Sequence, residues 1–146
     1  MAGTGEKMID VQGSVYPLEK LINVARAAMN RAYAPYSNFP VGAALITKEG
    51  NVYNGCNVEN VSYGLTCCAE RVAIFKAVAD GFKDFKALAV IANTEQPCSP
   101  CGACRQVMIE FAPHMEVYMV NKDGHYIKTT AGELLPAQFD KDLLQG

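Results

Sequence analysis

The chain has 146 residues, of which 50% are hydrophobic and 19% are charged, and its formal net charge is −2. This length and balance suit one globular domain that holds a core without help from a metal or a disulfide. The small negative charge and the scattered lysines provide no basic surface, which argues against a nucleic-acid polymer or an anionic membrane surface as partner.

The N-terminal sequence MAGTGEKMIDVQG has no basic segment followed by an apolar run, and no apolar run in the chain is long enough to span a bilayer. We therefore expect a soluble, cytoplasmic protein. In a reducing compartment the six cysteines suit metal binding or catalysis better than disulfides. Residues 1–13 are predicted to be a flexible leader, and residues 14–146 a single domain.

The first predicted helix follows Pro17, because apolar residues recur there at helical spacing. The residues of this stripe are Leu18, Leu21, Ile22, Ala25 and Met29. Residues 41–60 are typical of a β-hairpin, since two apolar-rich runs flank the glycine-containing turn KEGN. A second helix is predicted from about residue 67 to residue 80, with Gly81 as its C-cap.

The second half of the chain alternates strands and helices. The short apolar run KALAVIAN indicates a strand that is buried on both faces. The helix CGACRQVMIEF follows and stops before Pro113, and the strands EVYMVN and HYIKTT are separated by the turn KDG. A short helical turn is predicted in AGELLPAQF. This alternation predicts an α/β fold in which helices cover the faces of a buried sheet.

Three cysteines lie at the predicted starts of two helices. Cys68 opens the second helix, and Cys101 and Cys104 open the third on one face. The loops before both helices are expected at the same end of the sheet, so the three thiols could converge. Zinc takes thiolate ligands in a tetrahedral site, and three protein ligands leave one position for water. Helix N-termini also favour the thiolate over the thiol.

Two charged residues follow Cys68. On an ideal helix Glu70 would point ~200° away from Cys68, so it is poorly placed as a fourth ligand. Near an open helix end, its carboxylate could instead reach a metal-bound water and act as a proton shuttle. Arg71 lies one helical turn after Cys68, where its guanidinium could hydrogen-bond a ligand sulfur and offset the negative charge of three thiolates.

The cysteine pattern is also compatible with three different kinds of site. The pair Cys101 and Cys104 would suit a structural or thioredoxin-like redox site, because PCGAC follows a strand and opens a helix. An iron–sulfur run would place its fourth cysteine at Met108. A non-catalytic zinc module would need four closed protein ligands, and Cys98 is the rival ligand to consider. The remaining cysteines and the two histidines are interpreted as packing or surface residues: Cys56, Cys67, His114 and His125.

Taken together, CAER at 68–71 and PCGACRQ at 100–106 resemble the zinc nucleoside deaminases, specifically the small homotetrameric cytidine deaminases. The segments APYSNFPVGAAL, GCNVENVSYG and ELLPAQF resemble family segments in family order, over most of residues 33–139. The resemblance implies a three-layer α/β/α sandwich with a mixed, about five-stranded central sheet. It also implies hydrolytic deamination of free cytidine and deoxycytidine, one Zn²⁺ per chain, and a homotetramer.

The resemblance also implies roles for individual residues. Cys68, Cys101 and Cys104 would hold the zinc, Glu70 would be the proton shuttle, and Arg71 would moderate the thiolate charge. The implied substrate-binding residues are Phe39, Asn57, Glu59, Tyr63, Ala69 and Phe139.

Within that set the implied contacts differ. Asn57 and Glu59 would hydrogen-bond the ribose, since an amide and a carboxylate can both hold a 3′-hydroxyl, and Phe39 would stack near the base. The backbone around Ala69 and Ser99 would contact the pyrimidine edge. Tyr63 and Phe139 would reach the site of a neighbouring subunit. The alternative within the same chemistry is another aminopyrimidine, such as a blasticidin-type antibiotic.

Overall fold

The computed structural model describes residues 2–3 and 7–145. Within them, the strands are β1 (Ala2–Gly3), β2 (Met8–Val11), β3 (Ser14–Pro17), β4 (Val41–Thr47), β5 (Val52–Cys56), β6 (Phe85–Ala92), β7 (Glu116–Val120) and β8 (Tyr126–Thr130). The helices are α1 (Leu18–Met29), α2 (Ala69–Ala79), α3 (Gly102–Phe111) and α4 (Lys141–Gln145), and a short 3₁₀ turn spans Tyr63–Leu65.

Six strands form one mixed sheet in the order β1-β8-β7-β6-β4-β5. Strand β4 runs antiparallel to both β5 and β6, β6 and β7 are parallel, and β8 is antiparallel to β7. Strand β1 adds only two residues at one edge, so five full strands make up the sheet. The predicted α/β fold with a mixed, about five-stranded sheet is therefore confirmed.

Helices cover both faces of the sheet because its central strands are apolar on both sides. In β4, Ala43 and Leu45 pack into the core with α2 and α3, whereas Ala44 and Ile46 pack into the core with α1. All four side chains are fully buried. Strand β6 has the same double burial, as its continuous apolar run predicts. Among the described residues, no helix combines the length and apolar character that crossing a membrane requires.

Glycine lets the first turn of α2 rest directly on the sheet. A Cβ atom added to Gly55 in β5 would lie 2.3 Å from the carbonyl oxygen of Ala69 and 2.6 Å from the backbone nitrogen of Ala73. No side chain fits between such close backbones. Ala69 is the first residue of α2. Gly55 therefore sets how closely the start of α2, where Cys68 and Glu70 lie, approaches the sheet.

We expect Gly55→Ala to lower the free energy of unfolding by about 1–3 kcal/mol, because the added methyl group must push α2 away from β5. Chemical denaturation measures the change. Gly102→Ala is the matched control, since a Cβ atom at Gly102 would meet nothing within 4 Å. Equal stability of the two variants would contradict the close contact between β5 and α2.

Part of the segment predicted to be a flexible leader forms a hairpin that packs on the domain. Strands β2 and β3 pair as an antiparallel hairpin, and Gln12 and Gly13 at its turn have positive φ angles of 50° and 82°. Ile9 and Val11 are 1% and 6% exposed and pack into the core beside α1. Residues 8–13 therefore belong to the packed domain, because alternate apolar side chains anchor the hairpin. The rest of the predicted leader includes residues 1 and 4–6, which lie outside the described residues.

Candidate metal centre and active site

The starts of α2 and α3 lie at the same end of the sheet, as the sequence predicts. Strands β5 and β6 both run antiparallel to β4, so the carboxyl ends of β5 and β6 lie together at this end of the sheet. Cys68 and Cys101 each immediately precede a helix and have extended backbones, with ψ angles of 156° and 169°. Neither side chain caps its helix, so both thiols are free to bind something else.

The thiols of Cys68, Cys101 and Cys104 form one cluster. Their sulfur atoms all lie within 4.8 Å of one another, and the Sγ atoms of Cys68 and Cys101 are 3.6 Å apart. Sulfurs bound at 2.3 Å to a tetrahedral zinc ion would lie about 3.8 Å apart. The cysteines are free thiols rather than disulfides. Spacing and donor type therefore fit a zinc ion better than a redox pair.

The Arg71 guanidinium contacts this cluster. Its Nη2 atom donates to the Sγ atom of Cys68 at 3.4 Å. The neighbouring Cys104 thiol and the Arg71 guanidinium lower the pKa of Cys68 to about 5. Cys68 therefore favours the thiolate form that a metal requires, and the Arg71 guanidinium contacts its sulfur.

Glu70 lies beside the cluster and is 3% exposed. Burial raises the pKa of its carboxyl group to about 7, although the nearby Cys104 thiol acts in the opposite direction. The angle expected from an ideal helix does not apply, because Cys68 precedes the helix with an extended backbone. A carboxyl group that titrates near neutral pH is well suited to accept and return a proton.

A cavity of about 410 Å³ opens next to the three thiols. Its size and mixed polar and apolar wall suit a small molecule. The lining residues are Ser37, Phe39, Val41, Asn57, Glu59, Thr66, Cys68, Ala69, Glu70, Cys98, Ser99 and Cys101. Phe39, Asn57, Glu59 and Ala69, to which the family resemblance assigns substrate binding, thus share one cavity with Glu70.

Asn57 and Glu59 hold the loop that forms one wall of the cavity. The Nδ2 atom of Asn57 donates to the carbonyl oxygen of Phe39 at 2.9 Å, and its Oδ1 atom accepts the backbone N–H of Val41 at 2.9 Å. Glu59 accepts hydrogen bonds from the hydroxyl group and the backbone N–H of Ser37. These contacts position both polar groups at the cavity wall, and their contacts to a sugar stay predictions.

Tyr63 and Phe139 do not line the cavity of their own chain. They are 75% and 60% exposed. The ring of Tyr63 tilts against that of Tyr36, with 6.1 Å between centroids. The carbonyl oxygen of Phe139 accepts a hydrogen bond from Gln106 on α3 at 2.6 Å. That Tyr63 and Phe139 contact the cavity of a neighbouring chain stays a prediction.

Cys98 lines the cavity but lies outside the thiol cluster. Burial raises the pKa of the Cys98 thiol to about 12, and its sulfur is not among the three that lie within 4.8 Å of one another, so Cys98 is a poor rival ligand. Cys56 and Cys67 also lie outside the cluster within the described part of the chain. His114 and His125 are exposed, as the sequence predicts.

Sequence reasoning missed two residues that shape the site, Ser37 and Arg105. The guanidinium of Arg105 donates to the carbonyl oxygen of Pro100 at 2.8 Å and to the hydroxyl group of Ser99 at 2.7 Å. It thereby fixes the loop that leads to Cys101. The signals in the sequence were the arginine one residue after Cys104, and a hydroxyl group two residues before Phe39.

Comparison with known proteins supports the same kind of site. Residues 16–120 match the family model described as the cytidine and deoxycytidylate deaminase zinc-binding region. A cytidine deaminase from Sporosarcina psychrophila is 56% identical over 126 residues, which cover 86% of this chain and 93% of the relative. A crystal structure of cytidine deaminase from Burkholderia pseudomallei has a TM-score of 0.81 at 56% identity, covering 83% of this chain and 98% of that one. A blasticidin-S deaminase from Bacillus cereus is 30% identical over 131 residues, which cover 84% of this chain and 92% of the relative.

Proposed function

Because this chain belongs to the cytidine and deoxycytidylate deaminase family, we propose that it hydrolyses free cytidine and deoxycytidine to uridine and deoxyuridine, with release of ammonia. This is a hydrolase reaction at a cyclic amidine C–N bond, and it serves pyrimidine salvage. The observation that carries the proposal is the buried carboxyl group of Glu70 beside three convergent thiols at a small-molecule cavity.

The cofactor is zinc, and Cys68, Cys101 and Cys104 are the proposed ligands. When bound, zinc supplies a water that is acidic enough to act as a nucleophile near neutral pH. Three thiolates would leave the site with an excess negative charge, which opposes this acidification. The Arg71 guanidinium, 3.4 Å from the Cys68 sulfur, offsets part of that charge.

Glu70 moves the protons of the reaction. Its carboxylate accepts a proton from the attacking water as the water oxygen adds to C4 of the ring, and it delivers that proton to N3. It then accepts the proton of the new hydroxyl group on C4 and passes it to the amine, which leaves as ammonia as the C4–N bond breaks and the C4 carbonyl forms. Burial of Glu70 keeps bulk water from competing for these protons.

The cavity wall orients the nucleoside. We assign the base to the Phe39 ring and to the backbone around Ala69 and Ser99. The ribose is assigned to Asn57 and Glu59, whose polar groups already lie at the wall. These roles follow from the resemblance of the segments that carry the residues, and their shared position in one cavity supports them.

The function is tested by incubating the purified, zinc-loaded protein with cytidine and following uridine and ammonia. Stoichiometric formation of both products is expected. Absence of turnover with one zinc ion per chain still bound would reject the nucleoside assignment. The next substrate to test would then be blasticidin S, since a blasticidin-S deaminase is 30% identical to this chain. The 56% identity to a cytidine deaminase favours cytidine.

The proposed assembly is a homotetramer in which Tyr63 and Phe139 complete the cavities of neighbouring chains. Large apolar side chains that a lone chain leaves exposed support it: Val58, Val61, Tyr63, Leu65, Phe75 and Phe139. Light scattering coupled to gel filtration tests the assembly. The proposed location is the cytoplasm, where a reducing environment keeps the cysteines as the free thiols observed.

We expect Arg71→Gln to retain zinc and to lower kcat for cytidine by roughly 10–100-fold, because the site becomes more negative. Metal analysis and steady-state kinetics measure the two effects. Arg26→Gln is the matched control, since the Arg26 guanidinium on α1 bonds the carbonyl oxygen of Lys122 and does not line the cavity. An unchanged kcat for Arg71→Gln would contradict the charge-balancing role.

A further inference from the structure

Ser37 is a cavity residue that the proposed reaction does not use. It lies in the loop between α1 and β4, on the cavity wall. Its hydroxyl group donates a hydrogen bond to the Oε2 atom of Glu59. The same hydroxyl oxygen accepts the backbone N–H of Phe39 at 3.0 Å. A serine hydroxyl can donate once while accepting, so Ser37 joins the backbone beside the Phe39 ring to the Glu59 carboxylate.

The second oxygen of Glu59 is also occupied. Its Oε1 atom accepts the backbone N–H groups of Tyr36 at 3.0 Å and of Ser37 at 3.1 Å. The Ser37 hydroxyl is the main cause that lowers the pKa of Glu59, so this carboxyl group is ionised at neutral pH. An ionised carboxylate accepts about four hydrogen bonds. With three donors from the loop, one acceptor site is left for a ligand in the cavity.

A turn at Asn38 and the side chain of Asn57 fix the backbone of the loop that supplies these donors. The backbone turns at Asn38, a non-glycine residue with a φ angle of 54°, and this turn returns the Phe39 N–H to the Ser37 oxygen. Asparagine tolerates that left-handed conformation better than most residues. Beyond the turn, Asn57 binds the carbonyl oxygen of Phe39 and the N–H of Val41. The Ser37 hydroxyl therefore projects from a fixed backbone.

We propose that Ser37 is a positioning residue that fixes the Glu59 carboxylate for a single sugar hydroxyl, and so sets the preference of the cavity for nucleosides with a free 3′-hydroxyl group. The proposal rests on the proposed function, because Glu59 is assigned there to the ribose. Its physical basis is that the terminal torsion of a glutamate is soft. Without the Ser37 hydroxyl, Oε2 loses its donor and the carboxylate can rotate away from the sugar.

The experiment compares cytidine with 3′-deoxycytidine on the zinc-loaded protein and its variants. Ser37→Ala is expected to raise KM for cytidine about 5–10-fold, the effect of losing roughly one ordinary hydrogen bond, with kcat within about two-fold of the parent. For 3′-deoxycytidine, KM should not change, because Glu59 has no 3′-hydroxyl to hold. Ser37→Thr should restore the parent KM, and Ser37→Cys should fall between.

Two controls separate positioning from a general effect. Ser14→Ala removes a serine hydroxyl that bonds the carbonyl oxygen of Val11 at 2.9 Å in the β2–β3 hairpin, and it should leave both substrates unaffected. In a Glu59→Gln background, Ser37→Ala should add less than about a two-fold further change in KM, since the two residues act as one unit.

The outcomes are distinguishable. An equal rise in KM for both nucleosides, or a fall in kcat alone, would show that Ser37 only maintains the loop and would overturn the proposal. An unchanged Ser37→Ala protein would overturn it as well. If Ser37→Ala fails to fold, the comparison of Ser37→Thr with Ser37→Cys decides, and equal KM values for cytidine would overturn it. No turnover by the parent protein would instead reject the proposed function, and this inference with it.

Discussion

Glu70→Gln is expected to lower kcat for cytidine by roughly 10²–10⁴-fold, the usual contribution of a positioned general acid–base group. Glutamine keeps the shape of glutamate but accepts no proton from water and returns none to N3 or to the leaving amine. Zinc content should stay at one ion per chain, because the proposed ligands are the clustered thiols of Cys68, Cys101 and Cys104. Steady-state kinetics and metal analysis on the same preparation measure both quantities.

The matched control is Glu19→Gln. Glu19 has the same position in α1 that Glu70 has in α2, the second helical residue, but its side chain is exposed. It should retain the parent kcat. A zinc-loaded Glu70→Gln protein with full activity would remove Glu70 from the mechanism.

The ionised carboxylate of Glu70 should also lower the free energy of unfolding of the metal-free protein. Its pKa is raised from 4.5 to about 7, so the folded state holds this proton more tightly than the unfolded state. The stabilising contribution is complete below pH 4.5 and is lost as the pH rises through 7, by at most about 3 kcal/mol. Metal-free Glu70→Gln protein should therefore melt above the metal-free parent at about pH 8 and together with it near pH 4. Coincident melting at the higher pH would contradict this effect of burial.

Cys104→Ala is expected to abolish zinc binding and, with it, cytidine turnover. Cys104 is fully buried, and it shares one cluster with Cys68 and Cys101. Two remaining thiols cannot complete the three-ligand set that a catalytic zinc site uses. Elemental analysis after dialysis against dilute zinc, together with the activity assay, measures the loss.

Cys98→Ala tests whether the cluster is specific. Cys98 shares the cavity with Cys68 and Cys101, but its sulfur lies outside the group of three that could share one ion. This variant should keep one zinc ion per chain and most of the activity. Loss of zinc from Cys98→Ala, or its retention by Cys104→Ala, would show that the ligand set is assigned incorrectly.

Local sequence patterns are sufficient to predict that the three thiols lie close together. Helices α2 and α3 each follow a strand of the same sheet, and these two strands run in the same direction. The N-termini of the two helices therefore lie at the same end of the sheet. The cysteines at those N-termini then converge. The direction of Glu70 is harder to predict, because it depends on where α2 begins. One residue of extended backbone at Cys68 changes the angle between the two side chains.

Contacts between distant segments account for what the sequence does not indicate. Ser37 and Glu59 are 22 residues apart, and neither flank contains a pattern that pairs them. The β2–β3 hairpin is short, and the burial of Ile9 and Val11 against α1 stabilises it. Helix α4, at Lys141–Gln145, lies in a segment that the sequence predicts to be a tail. Its two leucines are exposed, and they do not form an apolar stripe that would indicate a helix. Such features depend on tertiary packing rather than on local periodicity.

X-ray absorption at the zinc edge of the substrate-free protein tests the central claim most directly. We expect three sulfur neighbours at about 2.3 Å and one oxygen neighbour at about 2.0 Å, which is an open site with room for the nucleophilic water beside Glu70. Four sulfur neighbours would identify a closed structural site, with Cys98 as the candidate fourth ligand. That result would contradict the proposed deaminase centre.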